Sequence, residues 1–185
     1  MEYPKFKDME RAYGFDEVAL VPGDITVNPD QTDIGFQIGP HKFEIPILAS
    51  AMDAVVSPAS AIEYGRMGGL AVMNLDGVQT RYDDPDAVLK QIAETPQSDV
   101  TALLQKLYAA PVRDNLVAER VAAIKKGGVV CAVSTTPANT KRLAPIAKEA
   151  GMDILVVQST VTTATHSSKS ARGLVLPELK QHMKL

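Results

Sequence analysis

Four stretches of this chain run apolar and then turn to hydrogen-bonding residues at their carboxyl ends. The stretch 45-IPILAS-50 leads into Ser50, Met52 and Asp53, and 70-LAVMN-74 ends on Asn74 with Asp76 just beyond. The stretch 129-VVCAVS-134 ends on Ser134, Thr135 and Thr136. The fourth, 154-ILVVQS-159, gives Gln158, Ser159 and Thr160, with Thr162 and Thr163 following. Hydroxyls and amides donate and accept hydrogen bonds without fixing a charge, which suits a sugar, a phosphate or the edge of a nucleobase. Taken singly, each Ser or Thr caps a helix start. Their recurrence at all four ends points to a ligand site. Met52 alone reads as a core methionine, and Asp53 alone as an acidic residue complementing a helix dipole.

These ends need strands behind them. All four stretches are short continuous apolar runs, the pattern of parallel strands covered on both faces. Helices alternate with them. Ser57 caps one with Pro58 at its first position, and Gly68-Gly69 closes it. Asp84 and Pro85 open a second that presents Val88, Leu89 and Ile92. A third starts at Ser98, with Val100, Leu103, Leu104, Leu107 and Tyr108 on one face, and Pro111 breaks it. Asp114 caps a fourth with Val117, Val121 and Ile124 in a stripe and Gly127 past its end. A fifth falls within 139–150, where Pro145 kinks it or marks its first turn, and a last one lies near 173–183.

An α/β class follows, and two architectures fit: a doubly wound sheet or a (β/α)8 barrel. Neither GxGxxG nor GxxxxGK[ST] is present, which weakens the common doubly wound nucleotide binders. A full barrel needs about 250 residues, so this chain supplies only about the first four βα units. It reads as a single domain, with an entry arm at 1–44 that holds extended pieces at Val18–Val21 and Phe36–Ile38. The first two units span 45–94, a helical insertion 95–113, and the third and fourth units 114–185.

Composition narrows the function classes. The chain has 185 residues, 45% hydrophobic and 22% charged, with a net charge of -3. That is ordinary for a domain with one core, and it gives no electrostatic footprint for nucleic acid. No apolar run approaches the ~20 residues of a membrane span, and the first ten residues lack a signal-peptide layout. A single cysteine, Cys131, excludes a disulfide framework and a CxxC metal site. A reducing compartment, the cytoplasm, is expected. Cys131 sits mid-strand, where a thiol acts as a small hydrophobe. His166 and Arg172 could approach an anion but read first as solvated loop residues.

The segment 45-IPILASAMDAVVSPASAIEYGRMGGLAVMN-74 resembles the first βαβ unit of the IMP dehydrogenase and GMP reductase family. Upstream, 13-YGFDEVALVPGDITVNPDQTDIG-35 is similar to that family's entry segment, and 154-ILVVQSTVTTATH-166 falls where the family has its fourth-strand loop. The resemblance is to the branch that lacks the CBS pair, since residues 95–113 are too few to hold one. It implies a purine nucleotide monophosphate as ligand, with Ser50 on its phosphate or ribose, Met52 on the purine face and Asp53 ordering the loop or bonding a backbone amide. Asn74 is a further substrate-binding candidate. Gln158, Ser159 and Thr160 become cofactor-binding candidates for NAD or NADP. A homo-oligomer, a tetramer at full length, is likewise implied.

The same resemblance implies chemistry that this stretch of sequence does not complete. In the family a cysteine thiolate attacks C2 of the purine and forms a covalent thioimidate-type adduct. Hydride passes between C2 and the nicotinamide. The dehydrogenase then hydrolyses the adduct, whereas the reductase expels ammonia. The cysteine loop, the phosphate-binding glycine loops and the monovalent-cation site belong to later units. No catalytic residue is therefore expected here, and the chain reads as a partial sequence, inactive alone. A non-catalytic half-barrel that binds a nucleotide or serves as a scaffold is the alternative. Two departures bear on direction: Gln158 stands where the family's dehydrogenases carry an aspartate, and Ala54 where the family has threonine.

Overall fold

The computed structural model describes residues 11–160, 164 and 173–183. The chain divides into two units, one up to Asp33 and one from Ile34 onward. In the first, residues 11–33 hold single helical turns at Phe15–Glu17 and Pro29–Gln31. Val18 is extended, and the expected piece Val18–Val21 forms no strand. Phe36–Ile38, expected in the arm, belongs to the second unit instead. It forms β1 (Phe36–Ile38), antiparallel to β2 (His41–Phe43) across a turn in which Gly39 takes a φ of 56°. That left-handed conformation favours glycine.

The second unit is built on a four-stranded parallel sheet in sequential order: β3 (Leu48–Ala49), β4 (Leu70–Asn74), β5 (Ala132–Thr135) and β6 (Ile154–Val157). β4 spans the predicted run 70–74, and the other three strands are shorter than the sequence predicts. The expected strand Ile45–Leu48 begins to pair only at Leu48, because the amides of Glu44 and Ile45 both go to the carbonyl of Gly68 and Pro46 has no N–H. In the run predicted to start at residue 129, the Cys131 carbonyl accepts from Asp153 and Ile154, and the assigned strand begins one residue on.

Helix boundaries follow local chemistry. In α1 (Pro58–Arg66), Ser57 and Ser60 cap reciprocally, with the Ser60 amide 3.2 Å from the Ser57 hydroxyl. α2 (Pro85–Glu94) is capped by Asp84. Two predicted caps shift by one residue. α3 (Val100–Tyr108) starts after Asp99 rather than Ser98, and α4 (Asp114–Lys126) starts after Arg113. Asp114 is thus the first helical residue, where its charge still complements the dipole. α5 (Pro137–Glu149) starts earlier than expected because Pro137 is suited to a first helical position, which places Pro145 in its interior. The last helix, α6, spans Leu176–Met183.

The helices covering the sheet lie on one face. α1, α4 and α5 bury Ala61, Val117, Val121, Ile124, Leu143, Ala144 and Ala147 against Ala71, Met73 and Val133 of the strands and Cys131 just before β5. The other face carries Leu70, Val72, Ala132, Val130 and Val156, covered by the hairpin through Phe36 and Phe43, whose rings stack at 4.9 Å. Val72, Val130 and Val156 point to this second face together. Ile47, just before β3, is 60% exposed. α2 and α3 have a small core of their own around Val78, Val88 and Leu107. The helix that closes the β4 unit on the sheet is therefore α4.

Candidate functional site

Because the four strands run parallel in sequential order, their carboxyl ends share one rim, where ligands of such sheets bind. The loop after β3 is a tight turn. The Met52 amide donates to the Ser50 carbonyl at 2.8 Å, and the amides of Val55 and Val56 return to the Met52 carbonyl. Buried Val56 pins the far end of this turn, and α1 starts two residues later. Ser50 is left exposed and Met52 is 55% exposed, too open for a core methionine.

Asp53 ties this loop to its neighbours. One carboxylate oxygen accepts the Val78 backbone N–H at 3.0 Å and also the Tyr108 hydroxyl; the other accepts the Asn74 side-chain amide at 3.3 Å. Gly77 makes room for it, since a Cβ there would collide with the carboxylate. Tyr108 is held above its ordinary pKa by burial and by the Asp53 carboxylate, while the Arg81 guanidinium over its ring pulls the other way. Asn74 uses both ends of its amide within the protein: it donates to Asp53, and its oxygen accepts the Asp76 amide at 2.9 Å.

Asp76 makes the next link along the rim. Its carboxylate accepts the Thr136 amide at 2.8 Å and the Asn139 side chain, capping α5 from another loop. Arg81 braces the same turn through the Asp76 carbonyl at 3.0 Å and the Ala110 carbonyl. Beyond β5, the Gln158 amide donates to the Thr135 carbonyl at 3.0 Å, which fixes the start of the fourth loop, while Gln158, Ser159 and Thr160 are exposed. Thr162, Thr163, His166 and Arg172 lie outside the described residues. Two buried polar atoms under the rim, Gln79 Nε2 and Thr135 Oγ1, have no partner among the described residues.

The structure thus brings Asp53, Asn74 and Asp76 into one hydrogen-bonded network and leaves Ser50 and Met52 presented outward. Gly77, Val78 and Tyr108 were absent from the predicted site. Gly77 follows Asp76 in a polar loop, a detectable turn signal, but nothing in the sequence pairs Tyr108 with a residue 55 positions earlier. Cys131 is fully buried on the helix-covered face, and burial together with the Asp153 carboxylate pushes its thiol up to about 12. A thiol so held is not a nucleophile. Two grooves lie away from the rim. One of about 380 Å³ touches Lys42, Glu44, Gly68 and Val129 at the opposite ends of the strands. The other, of about 320 Å³, lies between α5 and α6.

A parallel sheet with its helices on one face, polar strand ends and a braced, outward-facing first loop defines an α/β protein. The sequence matches the IMP dehydrogenase / GMP reductase domain over residues 12–183, and the chain belongs to that family. It is similar to an uncharacterized oxidoreductase of Mycobacterium bovis, 37% identical over 171 residues, which cover 90% of this chain and 46% of that protein. It is also similar to the inosine-5'-monophosphate dehydrogenase of Methanocaldococcus jannaschii, 40% identical over 117 residues, covering 63% of this chain and 22% of that one. A solved structure of an IMP dehydrogenase/GMP reductase-like protein from Corynebacterium glutamicum superposes with a TM-score of 0.83 at 33% identity, covering 92% of this chain and 46% of that one. The chain spans somewhat under half the length of the mycobacterial relative and of this solved structure.

Proposed function

We propose that these residues form the first half of the nucleotide cradle of a purine nucleotide oxidoreductase, equivalent to the first four βα units of a (β/α)8 barrel. The observation that carries this reading is the Asp53 network, which holds the β3 loop so that Ser50 and Met52 face outward at the strand ends. Ser50 offers a hydroxyl to the phosphate or ribose of a purine nucleoside monophosphate. Met52 offers a polarizable thioether to the purine face. Asp53 and Asn74, fully engaged with the protein, order the loop.

A nicotinamide cofactor, NAD or NADP, would supply the hydride acceptor or donor. Gln158, Ser159 and Thr160 suit its ribose: they are exposed, they donate and accept, and they carry no charge. An uncharged Gln158 leaves both the dehydrogenase and the reductase direction available. The burial of Cys131 supports the view that no nucleophile for purine C2 lies among the described residues, so these residues alone bind without turning over. The same burial favours, as a second reading, a nucleotide-binding or scaffolding half-barrel.

The test is a calorimetric titration of the chain with inosine and guanosine monophosphates, run beside an absorbance assay for reduced nicotinamide in both directions. Weak binding, lost in Ser50→Ala, with no turnover is expected. Turnover abolished by Cys131→Ala would overturn the assignment of that thiol to the core. Binding unaffected by Ser50→Ala would remove Ser50 from the site.

A further inference from the structure

Residues 50–54 reach their neighbours through a single side chain. Among the described residues, Asp53 alone in this stretch makes side-chain hydrogen bonds, and its three partners all lie outside the loop. Two of the donors belong to the neighbouring unit: the Asn74 amide at the end of β4 and the Val78 N–H in the turn beyond it. The third donor is the hydroxyl of Tyr108, the last residue of α3. A bond from a hydroxyl to a carboxylate is of the strong, charge-assisted kind.

Tyr108 is placed without help from that loop. Leu107 beside it is buried with Val78 and Val88, and the Leu107 carbonyl accepts the Tyr82 hydroxyl at 2.8 Å. The Arg81 guanidinium lies over the Tyr108 ring, 5.6 Å from its centroid, and is itself anchored on the Asp76 carbonyl at 3.0 Å and on the Ala110 carbonyl. Tyr108 is 38% exposed, so core packing does not account for it. Partial burial and the Asp53 carboxylate hold the phenol above its ordinary pKa, which keeps it a donor. A side chain locked by its own surroundings is suited to fixing another one.

We propose that Tyr108 is a positioning residue for the ligand loop after β3: its hydroxyl, acting through Asp53, holds the turn that presents Ser50 and Met52 outward. Without that hydroxyl, Asp53 Oδ2 keeps only the Val78 amide, and Oδ1 keeps the Asn74 amide at 3.3 Å. Residues 50–53 then gain freedom that a ligand must remove on binding, at a cost in affinity. The helical segment 95–113, which has a core of its own with α2, thereby becomes a contributor to the site. The effect on affinity rests on the nucleotide reading above; the effect on the loop does not.

The test compares the parent chain with Tyr108→Phe, which keeps the ring and removes the hydroxyl. The first readout is nuclear magnetic resonance of methionine methyls labelled with carbon-13, with the Met52 signal assigned by Met52→Leu. In Tyr108→Phe the Met52 methyl should shift and its order parameter fall, while the buried Met73 and Met152 hold theirs. An unmoved Met52, or core methyls that move as much, would overturn the proposal, the second because it reports a general loosening. The other readout is a calorimetric titration with inosine monophosphate. Tyr108→Phe should weaken binding by about three- to tenfold, the usual effect of one lost hydrogen bond. In an Asp53→Ala background the same change should weaken it no further, because the hydroxyl acts through that carboxylate. Equal losses in both backgrounds would overturn the proposal. A parent chain that binds no nucleotide overturns the ligand reading instead, and the Met52 signal still decides what Tyr108 does to the loop.

Discussion

Asp53 rests its carboxylate against Gly77, and a Cβ on that glycine would collide with it. The contact lets Asp53 reach the Val78 amide at 3.0 Å, joining the loop after β3 to the turn after β4. Gly77→Ala should therefore displace the carboxylate and destabilise the fold by about 1–3 kcal/mol, as overpacking does. A shifted urea midpoint reads this. In an Asp53→Ala background the same change should have much less effect, because the two residues act on one contact. Additive effects would show that the glycine matters for some other reason.

Tyr108 should keep its proton well above the ordinary tyrosine range, since burial and the Asp53 carboxylate both favour the neutral phenol. The sign for stability follows from linkage. The folded phenol holds its proton more tightly than the unfolded one, so stability falls as pH rises past about 10, the unfolded value. The difference between the phenolate absorbance titrations of the parent and Tyr108→Phe isolates this group. Asp53→Asn should bring its midpoint down.

Cys131, pushed up to about 12 and fully buried, should resist thiol reagents in the native state and react completely in urea. Rapid native-state labelling would contradict its place beneath α4 and α5.

Asp153 and Lys125 form a salt bridge at 2.7 Å, but the same Asp153 oxygen also accepts the buried Cys131 amide at 2.8 Å. Removing the lysine leaves that amide paired, whereas removing the aspartate orphans it. Asp153→Ala should thus cost about 1–3 kcal/mol and Lys125→Ala at most about 1. Equal losses would mean that the ion pair, not the amide, is the part that matters.

Thr135 offers a contrasting case, for its hydroxyl is buried without a partner among the described residues. The isosteric Thr135→Val should be neutral or stabilise by up to about 1 kcal/mol. A clear loss in thermal midpoint would reveal a partner for that oxygen, such as a bound water.

Much of the framework was legible because its signals are local. Ser57-Pro58 opens α1, Gly68-Gly69 separates it from β4, and Asp84-Pro85 opens α2, each through a neighbour's backbone. The hairpin Phe36–Phe43 was read only in its first strand, although Gly39-Pro40 marks a turn, because three-residue strands give too little alternation. Strand starts were misplaced where amides leave the ladder, as those of Glu44 and Ile45 do for Gly68. At the rim, an amide partner for Asp53 is implied by the family resemblance. That the amide belongs to Val78, and that Tyr108 shares the same oxygen, depends on how α3 packs, which no local pattern encodes.

The small core of α2 and α3 has a mechanical meaning. Val78 is at once a member of that core and the residue whose amide holds Asp53, and Tyr108 closes α3 on the same carboxylate. The turn at Val78 and the end of α3 therefore grip the β3 loop like the two jaws of a clamp. Without the Tyr108 contact, Asp53 keeps the Val78 amide and the Asn74 side chain, so α3 adds a third hold on a loop already tied to the turn after β4.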